Sequence, residues 1–227
     1  MASFKDAVGF QNQLLHPFSM IVAGPSGSGK TYFVKAIIEH LDSIISTKVD
    51  NIVYIYSCWQ KLYDDLLKIR DINFIQDIPE SLCDDNLLPP QQNNLLIIDD
   101  VMDMASQNKE VQNVFTKYVH HRNLSCIYLL QNIFVQGKAS RTISLNSHYM
   151  VLFKNPRDKN QVMTLARQMY PGNSTFFMQA FNDATSQAYG YLFVDLKAIT
   201  PDAYRLRTDI LARNAVVYLP RNLKKHV

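Results

Sequence analysis

Residues 24–31, G-P-S-G-S-G-K-T, have the types and spacing of a loop that binds phosphate groups. They match the pattern G-x-x-x-x-G-K-[ST], in which glycines let successive backbone N–H groups turn inward toward an anion. In this pattern the lysine reaches the β- and γ-phosphates, and the Ser or Thr hydroxyl ligates Mg²⁺. The predicted ATP-binding residues are Gly24, Pro25, Ser26, Gly27, Ser28, Gly29, Lys30 and Thr31, with Thr31 also a magnesium ligand.

A second set of candidate groups is the carboxylate pair Asp99 and Asp100, which follows the apolar run L-L-I-I. A buried strand that ends in Asp fits a Walker B motif, because its first carboxylate meets the magnesium ion at the carboxyl edge of the sheet. We therefore predict Asp99 as a metal ligand and Asp100 as the group that orients or deprotonates the attacking water. The alternative is a solvated turn, and many motor ATPases have Glu where this chain has Asp100.

Gln131 and two arginines complete the predicted catalytic set. Gln131 directly ends the apolar run of residues 127–130, where an amide could sense the γ-phosphate or the attacking water; it could equally cap the next segment. Phosphoryl transfer spreads negative charge over oxygens that a guanidinium from a neighbouring subunit can stabilise. Arg141 is the first candidate for that role and Arg157 the second, and the alternative for each is an ordinary surface residue.

The surrounding sequence predicts the elements that these residues need. Residues 18–23 form a short apolar run typical of a buried strand, and apolar residues recur at helical spacing through residues 31–41. The loop at 24–31 therefore follows a strand and opens a helix, which makes a chance match to the motif a poor explanation. Further strands are predicted at 51–57, 72–75, 95–99, 125–130 and 149–153, and helices at 62–69, 110–121, 160–169 and 175–182.

This alternation of strands and helices predicts a three-layer α/β fold with a mainly parallel central sheet. Residues 189–194 and 204–206 could pair as a late β-hairpin. We divide the chain into an N-terminal extension (1–15), a P-loop ATPase core (16–210) and a basic C-terminal tail (211–227).

Composition and charge narrow the class of protein. Apolar residues make up 47% of the chain and charged residues 19%, which argues against disorder. The apolar runs are strand-sized, so we predict no membrane-spanning segment. Residues 111–227 hold fifteen basic and five acidic residues. Such an excess of positive charge can bind a phosphate backbone, although ordinary scatter of surface charge is the alternative.

The motifs together resemble the poxvirus-type genome-packaging ATPases of the FtsK/HerA superfamily, which occur in large DNA viruses, virophages and polinton- or adintovirus-like elements. G-P-S-G-S-G-K-T and L-L-I-I-D-D are shared with many P-loop families. The block from Gln131 to Asp158 is more specific. Its first two residues complete Y-L-L-Q-N, and it ends in R-T-I-S-L-N-S-H-Y-M-V-L-F-K-N-P-R-D. The resemblance extends over roughly residues 16–209.

By that resemblance the fold is a RecA-type core with a late hairpin, and the activity is Mg²⁺-dependent ATP hydrolysis that drives double-stranded DNA into a preformed capsid. The family's glutamine after Walker B falls on Gln131, and its arginine near the subunit boundary falls on Arg141. The implied partners are double-stranded DNA, capsid or portal-vertex proteins, and further copies of the chain in a pentameric or hexameric ring. The implied location is the infected host cell, and the resemblance is also compatible with association with the virion.

Two other functions stay open at this point. One is a different P-loop enzyme, such as a helicase, an AAA-type loader or a small-molecule kinase. The other is a nucleotide-gated assembly scaffold without turnover, which Asp100 in place of Glu keeps open. Intact Lys30, Thr31 and Asp99 favour an active ATPase over the scaffold.

Overall fold

The computed structural model describes residues 12–99, 101, 108–134, 138–212 and 215–220, which form a nine-stranded sheet in the order β3-β2-β4-β5-β1-β6-β7-β8-β9. Strands β1 to β6 are parallel, and β7 to β9 continue the sheet in antiparallel fashion. The strands are β1 (Ser19–Ala23), β2 (Asn51–Tyr56), β3 (Asn73–Gln76), β4 (Asn94–Asp99), β5 (Leu124–Leu130), β6 (Tyr149–Phe153), β7 (Tyr191–Asp195), β8 (Leu206–Thr208) and β9 (Val216–Val217).

Helices cover both faces of this sheet, as the predicted three-layer arrangement requires. They are α1 (Lys30–Glu39), α2 (Leu41–Ile44), α3 (Lys61–Ile69), α4 (Lys109–Asn113), α5 (Val119–His121), α6 (Lys138–Leu145), α7 (Asn160–Met169) and α8 (Ser174–Ala184). Apolar residues of α1, α2 and α3 pack on one face, and those of α4 to α8 pack on the other. The central strands are buried on both sides, which explains why they are continuous apolar runs rather than alternating ones.

The predicted fold class is confirmed, including the late antiparallel pair. Strands β7 and β8 pair with Phe193 opposite Arg207, so the second strand of the pair starts two residues later than predicted. The helix predicted at 110–121 consists of α4, a π-helical turn (Val114–Tyr118) and α5. Across the described ranges, no helix has the length and apolar character needed to cross a bilayer.

Several described features lie outside the predicted elements. Helix α6 (Lys138–Leu145) has no counterpart in the sequence-based prediction. Strand β9 pairs with β8 and comes from residues 211–227, which the sequence analysis separated as a tail. Leu14, from the predicted N-terminal extension, is buried and forms a β-bridge with Ile45.

A buried ion pair fixes the antiparallel end of the sheet. Arg207 on β8 donates to the carboxylate of Asp195 on β7 at 2.7 Å and to Oδ1 of Asn12 at 2.9 Å. Its guanidinium carbon lies 4.7 Å from the centre of the Phe193 ring, and only 2% of the arginine side chain is exposed. We expect Arg207→Met to lower the free energy of unfolding by about 3 kcal/mol, because it leaves the Asp195 charge buried without its counter-ion.

Urea denaturation of the wild type and of Arg207→Met measures this loss in the free energy of unfolding. Lys68→Met is the matched control, because Lys68 pairs with Asp65 at the surface with 73% of its side chain exposed, and we expect no measurable change there. Replacing Asp195 by Leu in the Arg207→Met background should recover part of the stability. An equal effect of the buried and the surface replacement would contradict the expectation.

Candidate functional site

The phosphate-binding loop lies at the carboxyl edge of the sheet, at the end of β1. Strand β1 is flanked by β5 and β6, and its last residue, Ala23, is paired with Leu130 at the end of β5 and with Leu152, one residue before the end of β6. The N–H of Gly24 donates to the carbonyl of Leu130 at 3.0 Å, which ties the loop to β5. This edge is where α/β sheets bind ligands, in the crevice outside the carboxyl ends of the strands.

Two glycines and a buried lysine define the loop. Gly27 and Gly29 adopt φ of 76° and 106°, left-handed values that favour glycine. Lys30 begins α1 and is 9% exposed, and its Nζ donates to the carbonyls of Gly24 at 2.7 Å and of Pro25 at 3.1 Å. A buried ammonium group within a loop that opens the ten-residue helix α1 fits a polyphosphate, because the helix dipole adds positive potential at the same place.

Asp99 ends β4 and is 2% exposed. Its strand neighbour Ile97 packs in the same core cluster as the apolar residues of α1 and α3, so by the alternation of a strand the Asp99 side chain lies on that face of the sheet. The Asp99 carboxylate therefore lies on the face of the sheet that carries α1, and α1 begins at the loop residues Lys30 and Thr31.

Two tyrosines hold this carboxylate. The hydroxyl of Tyr54, on β2, donates to Oδ2 of Asp99 at 2.6 Å, and the hydroxyl of Tyr63, on α3, donates to the same oxygen at 3.1 Å. Burial, and after it the negative charge of Asp99, raises the pKa of Tyr54 well above its usual value. The hydroxyl therefore stays protonated near neutral pH and keeps its donor role. The carboxylate is thus oriented through one oxygen by groups on two different elements.

The rings of these tyrosines belong to an aromatic cluster beside Asp99. Tyr54 and Tyr63 lie 5.0 Å apart between ring centres, and Trp59 packs edge-on to Tyr63 at 5.4 Å. Neither tyrosine is among the residues predicted for the site. The available signal was a tyrosine within an otherwise apolar strand, since a buried hydroxyl needs a polar partner, but the identity of that partner depends on how the strands pair.

The remaining predicted catalytic residues occupy different positions. Gln131 is exposed and follows β5 at the same carboxyl edge. Arg141, on α6, and Arg157, in the loop after β6, are both exposed. Asp100 lies outside the described residues.

Gln161, at the start of α7, connects the loops that follow β5 and β6. Its amide nitrogen donates to Asp158 at 2.7 Å, and its amide oxygen accepts from the N–H of Phe134 at 3.0 Å. Asn132 lies 3.4 Å from the same amide nitrogen. The loops that carry Gln131 and Arg157 are therefore joined by the side chain of Gln161, which is not among the predicted site residues.

Comparison with known families gives a match over most of the chain. The model of the poxvirus A32 protein family matches residues 7–169, a range that includes the phosphate-binding loop, Asp99, Gln131, Arg141 and Arg157. No curated protein sequence matches this chain.

Solved structures agree on the fold. The DNA-packaging ATPase B204 of Sulfolobus turreted icosahedral virus is similar at a TM-score of 0.57 and 11% identity, over 90% of this chain and 98% of that one. B204 of Sulfolobus turreted icosahedral virus 2, solved with ATP-γS, is similar at a TM-score of 0.51 and 14% identity, over 90% of this chain and 98% of that one. The cytoplasmic domain of the type VII secretion ATPase EccC from Thermomonospora curvata is similar at a TM-score of 0.51 and 13% identity, over 88% of this chain and 25% of that one. The common element is a P-loop ATPase fold.

Proposed function

The chain belongs to the poxvirus A32 protein family of viral genome-packaging ATPases, and from this premise we propose that it drives double-stranded DNA into a preformed capsid by hydrolysing ATP. The observation that carries the proposal is the pairing of a glycine-curled loop, with buried Lys30, and a buried carboxylate, Asp99, at the carboxyl edge of one sheet. Intact Lys30, Thr31 and Asp99 favour turnover over a scaffold that binds nucleotide without hydrolysing it.

We further propose how the residues of the site divide the chemistry. Residues 24–31 bind the phosphates of ATP, and Thr31 and Asp99 would hold Mg²⁺. Bound there, the ion would neutralise charge on the β- and γ-phosphates. Asp100 orients the attacking water or accepts its proton, and Gln131 senses the γ-phosphate from the end of β5.

An arginine from the neighbouring subunit would complete the site in a homo-oligomeric ring. Arg141 is the first candidate and Arg157 the second, and the exposure of both side chains in the single chain is what such a role requires. A head-to-tail contact that closes produces a ring of five or six copies. The proposed further partners are DNA, bound through its phosphates by basic residues of the segment 111–227, and capsid or portal-vertex proteins of the infected cell.

The test is ATP hydrolysis by the purified chain with and without double-stranded DNA. We expect DNA to raise turnover several-fold, because contact with the phosphate backbone favours the closed ring in which the arginine reaches the neighbouring site. Lys30→Ala should lose both the basal and the stimulated activity, while Lys35→Ala, which removes a partly buried lysine of the same helix that lies near Glu39 and Asp65, should keep both.

The other outcomes separate the rival functions. Turnover that is indifferent to DNA over a wide range of salt would contradict translocation and favour a different P-loop enzyme. Nucleotide binding without turnover, by a protein that forms rings, would favour the scaffold.

A further inference from the structure

Tyr189 stands between α8 and β7 in a conformation unusual for an aromatic residue. Its φ is 62°, in the left-handed region that few bulky side chains adopt, and 70% of the residue is exposed. An aromatic side chain that is both strained and exposed contributes little to the core, so another reason for its position is needed.

The loop that carries Tyr189 is firmly anchored on both sides. The N–H of Gly190 donates to the carbonyl of Gln187 at 3.2 Å, and a Cβ at Gly190 would come within 2.4 Å of the carbonyl oxygen of Ala184, so this turn closes tightly on the end of α8. On the other side, Tyr191 packs its ring against Phe33 of α1, with 4.8 Å between ring centres. Tyr189 is therefore presented from a fixed backbone.

What Tyr189 contacts is the phosphate-binding loop. A Cβ placed on Gly29 would stand 3.1 Å from Cδ1 of Tyr189 and 3.5 Å from Cε1 of Phe153. The tyrosine ring thus lies against the glycine that directly precedes Lys30, with its remaining surface open to solvent. Contact with this loop places an open aromatic face beside the residues that we assign to the phosphates.

The direction of a bound nucleotide follows from the sheet order. Asp99, the proposed metal ligand, ends β4, and β4 lies on the β5 side of β1. A magnesium ion held by Asp99 would neutralise charge on the terminal phosphates, so that end of the nucleotide would lie toward β4 and β5. The α-phosphate and the nucleoside then leave on the other side of β1, toward β6 and β7. Tyr189 lies two residues before the start of β7 and therefore on that side of β1.

We propose that Tyr189 is the base-binding residue of this ATPase, with its ring stacked on the base of the bound nucleotide. The inference rests on the assignment of residues 24–31 to ATP. Stacking on a π-face needs no specific hydrogen bond, so this contact strengthens binding without choosing strongly between adenine and guanine. It also gives the nucleoside a fixed position while the phosphate chain is cleaved.

The test compares ligands with and without a base. Calorimetry would measure the affinity of the full chain for Mg-ATP and for Mg-tripolyphosphate, which keeps the phosphates and lacks the nucleoside. We expect Tyr189→Gly to weaken ATP binding about tenfold, the size of a lost stacking contact, and to leave tripolyphosphate binding unchanged. Glycine suits the left-handed backbone, so this variant should fold normally, and its thermal midpoint checks that.

Two controls sharpen the result. Tyr189→Phe keeps the ring and should bind ATP as the wild type does, and Ile199→Ala, which shortens a side chain of similar exposure at the opposite edge of the sheet, should do the same. Unchanged ATP affinity in Tyr189→Gly, or an equal loss for both ligands, would overturn the proposal. Stimulation of turnover by DNA is measured separately. A wild type that binds ATP but whose turnover does not respond to DNA would contradict DNA translocation and leave the role of Tyr189 unaffected.

Discussion

Lys30→Ala should reduce ATP turnover by about a thousandfold, the size of effect seen when a group that stabilises transition-state charge is removed from an enclosed site. The side chain is 9% exposed and its ammonium group lies within the loop, against the carbonyls of Gly24 and Pro25. The other lysine of α1, Lys35, lies near Glu39 and Asp65 and cannot replace the charge of Lys30 within the loop. Steady-state phosphate release, with and without DNA, measures the loss.

The control for this result lies on the same helix. Lys35 is 22% exposed and lies near Glu39 and Asp65 rather than the loop, so Lys35→Ala should keep turnover within about twofold. Circular dichroism of both variants would show whether α1 is intact. Substantial turnover by Lys30→Ala with α1 intact would contradict the assignment of this loop to the phosphates of ATP.

Asp99→Asn is expected to have the second-largest effect, a loss of turnover of about a hundredfold or more, because the amide carries no charge for the metal. The replacement conserves shape, and the amide oxygen can still accept from the hydroxyls of Tyr54 and Tyr63. We therefore expect near-normal stability and near-normal binding of metal-free ATP. Turnover as a function of Mg²⁺ concentration, beside nucleotide binding in a chelator, measures the two properties separately.

Asp64→Asn is the matched control, since Asp64 is an exposed carboxylate that accepts from Trp59 at 3.2 Å near the same aromatic cluster. Its removal changes net charge by the same amount and should leave turnover unchanged. Asp99→Asn with wild-type turnover at every Mg²⁺ concentration would refute the metal-ligand role. Loss of folding in Asp99→Asn would instead show that the tyrosine contacts need the charge.

The elements that local pattern defines could be predicted from the sequence. Strand β6 (Tyr149–Phe153) and helix α7 (Asn160–Met169) have the predicted bounds, and the strand, loop and helix around residues 18–41 lie as expected. Each consists of a continuous apolar run or of apolar residues at helical spacing, and these signals need no information about distant parts of the chain. Helix α6 lacked such a signal, because of its eight residues only Ile143 and Leu145 are large and apolar, and Leu145 is 71% exposed.

The parts of the site that depend on pairing could not be predicted. Tyr54 meets Asp99 because β2 and β4 are neighbours in the sheet, with Tyr56 opposite Asp99 in the register. Tyr189 meets Gly29 because β7 folds back beside β6, which brings together residues 160 positions apart. The sequence contains each of these side chains, but the contacts follow from the strand order, which local patterns do not encode. The roles of all the predicted site residues, among them Asp100, Gln131, Arg141 and Arg157, remain predictions.

Within the part of the chain that the structure describes, the two strands that end the sheet, β3 and β9, are both short. Strand β3 has four residues and is followed by Asp77 in a left-handed conformation and by Pro79, while β9 has two residues and Pro220 lies three positions beyond it. Short edges broken by such residues resist pairing with a strand of another molecule. In the proposed ring, contacts between copies would then come from side-chain surfaces, which can slide and separate during a cycle of hydrolysis, whereas a shared sheet would lock adjacent copies together.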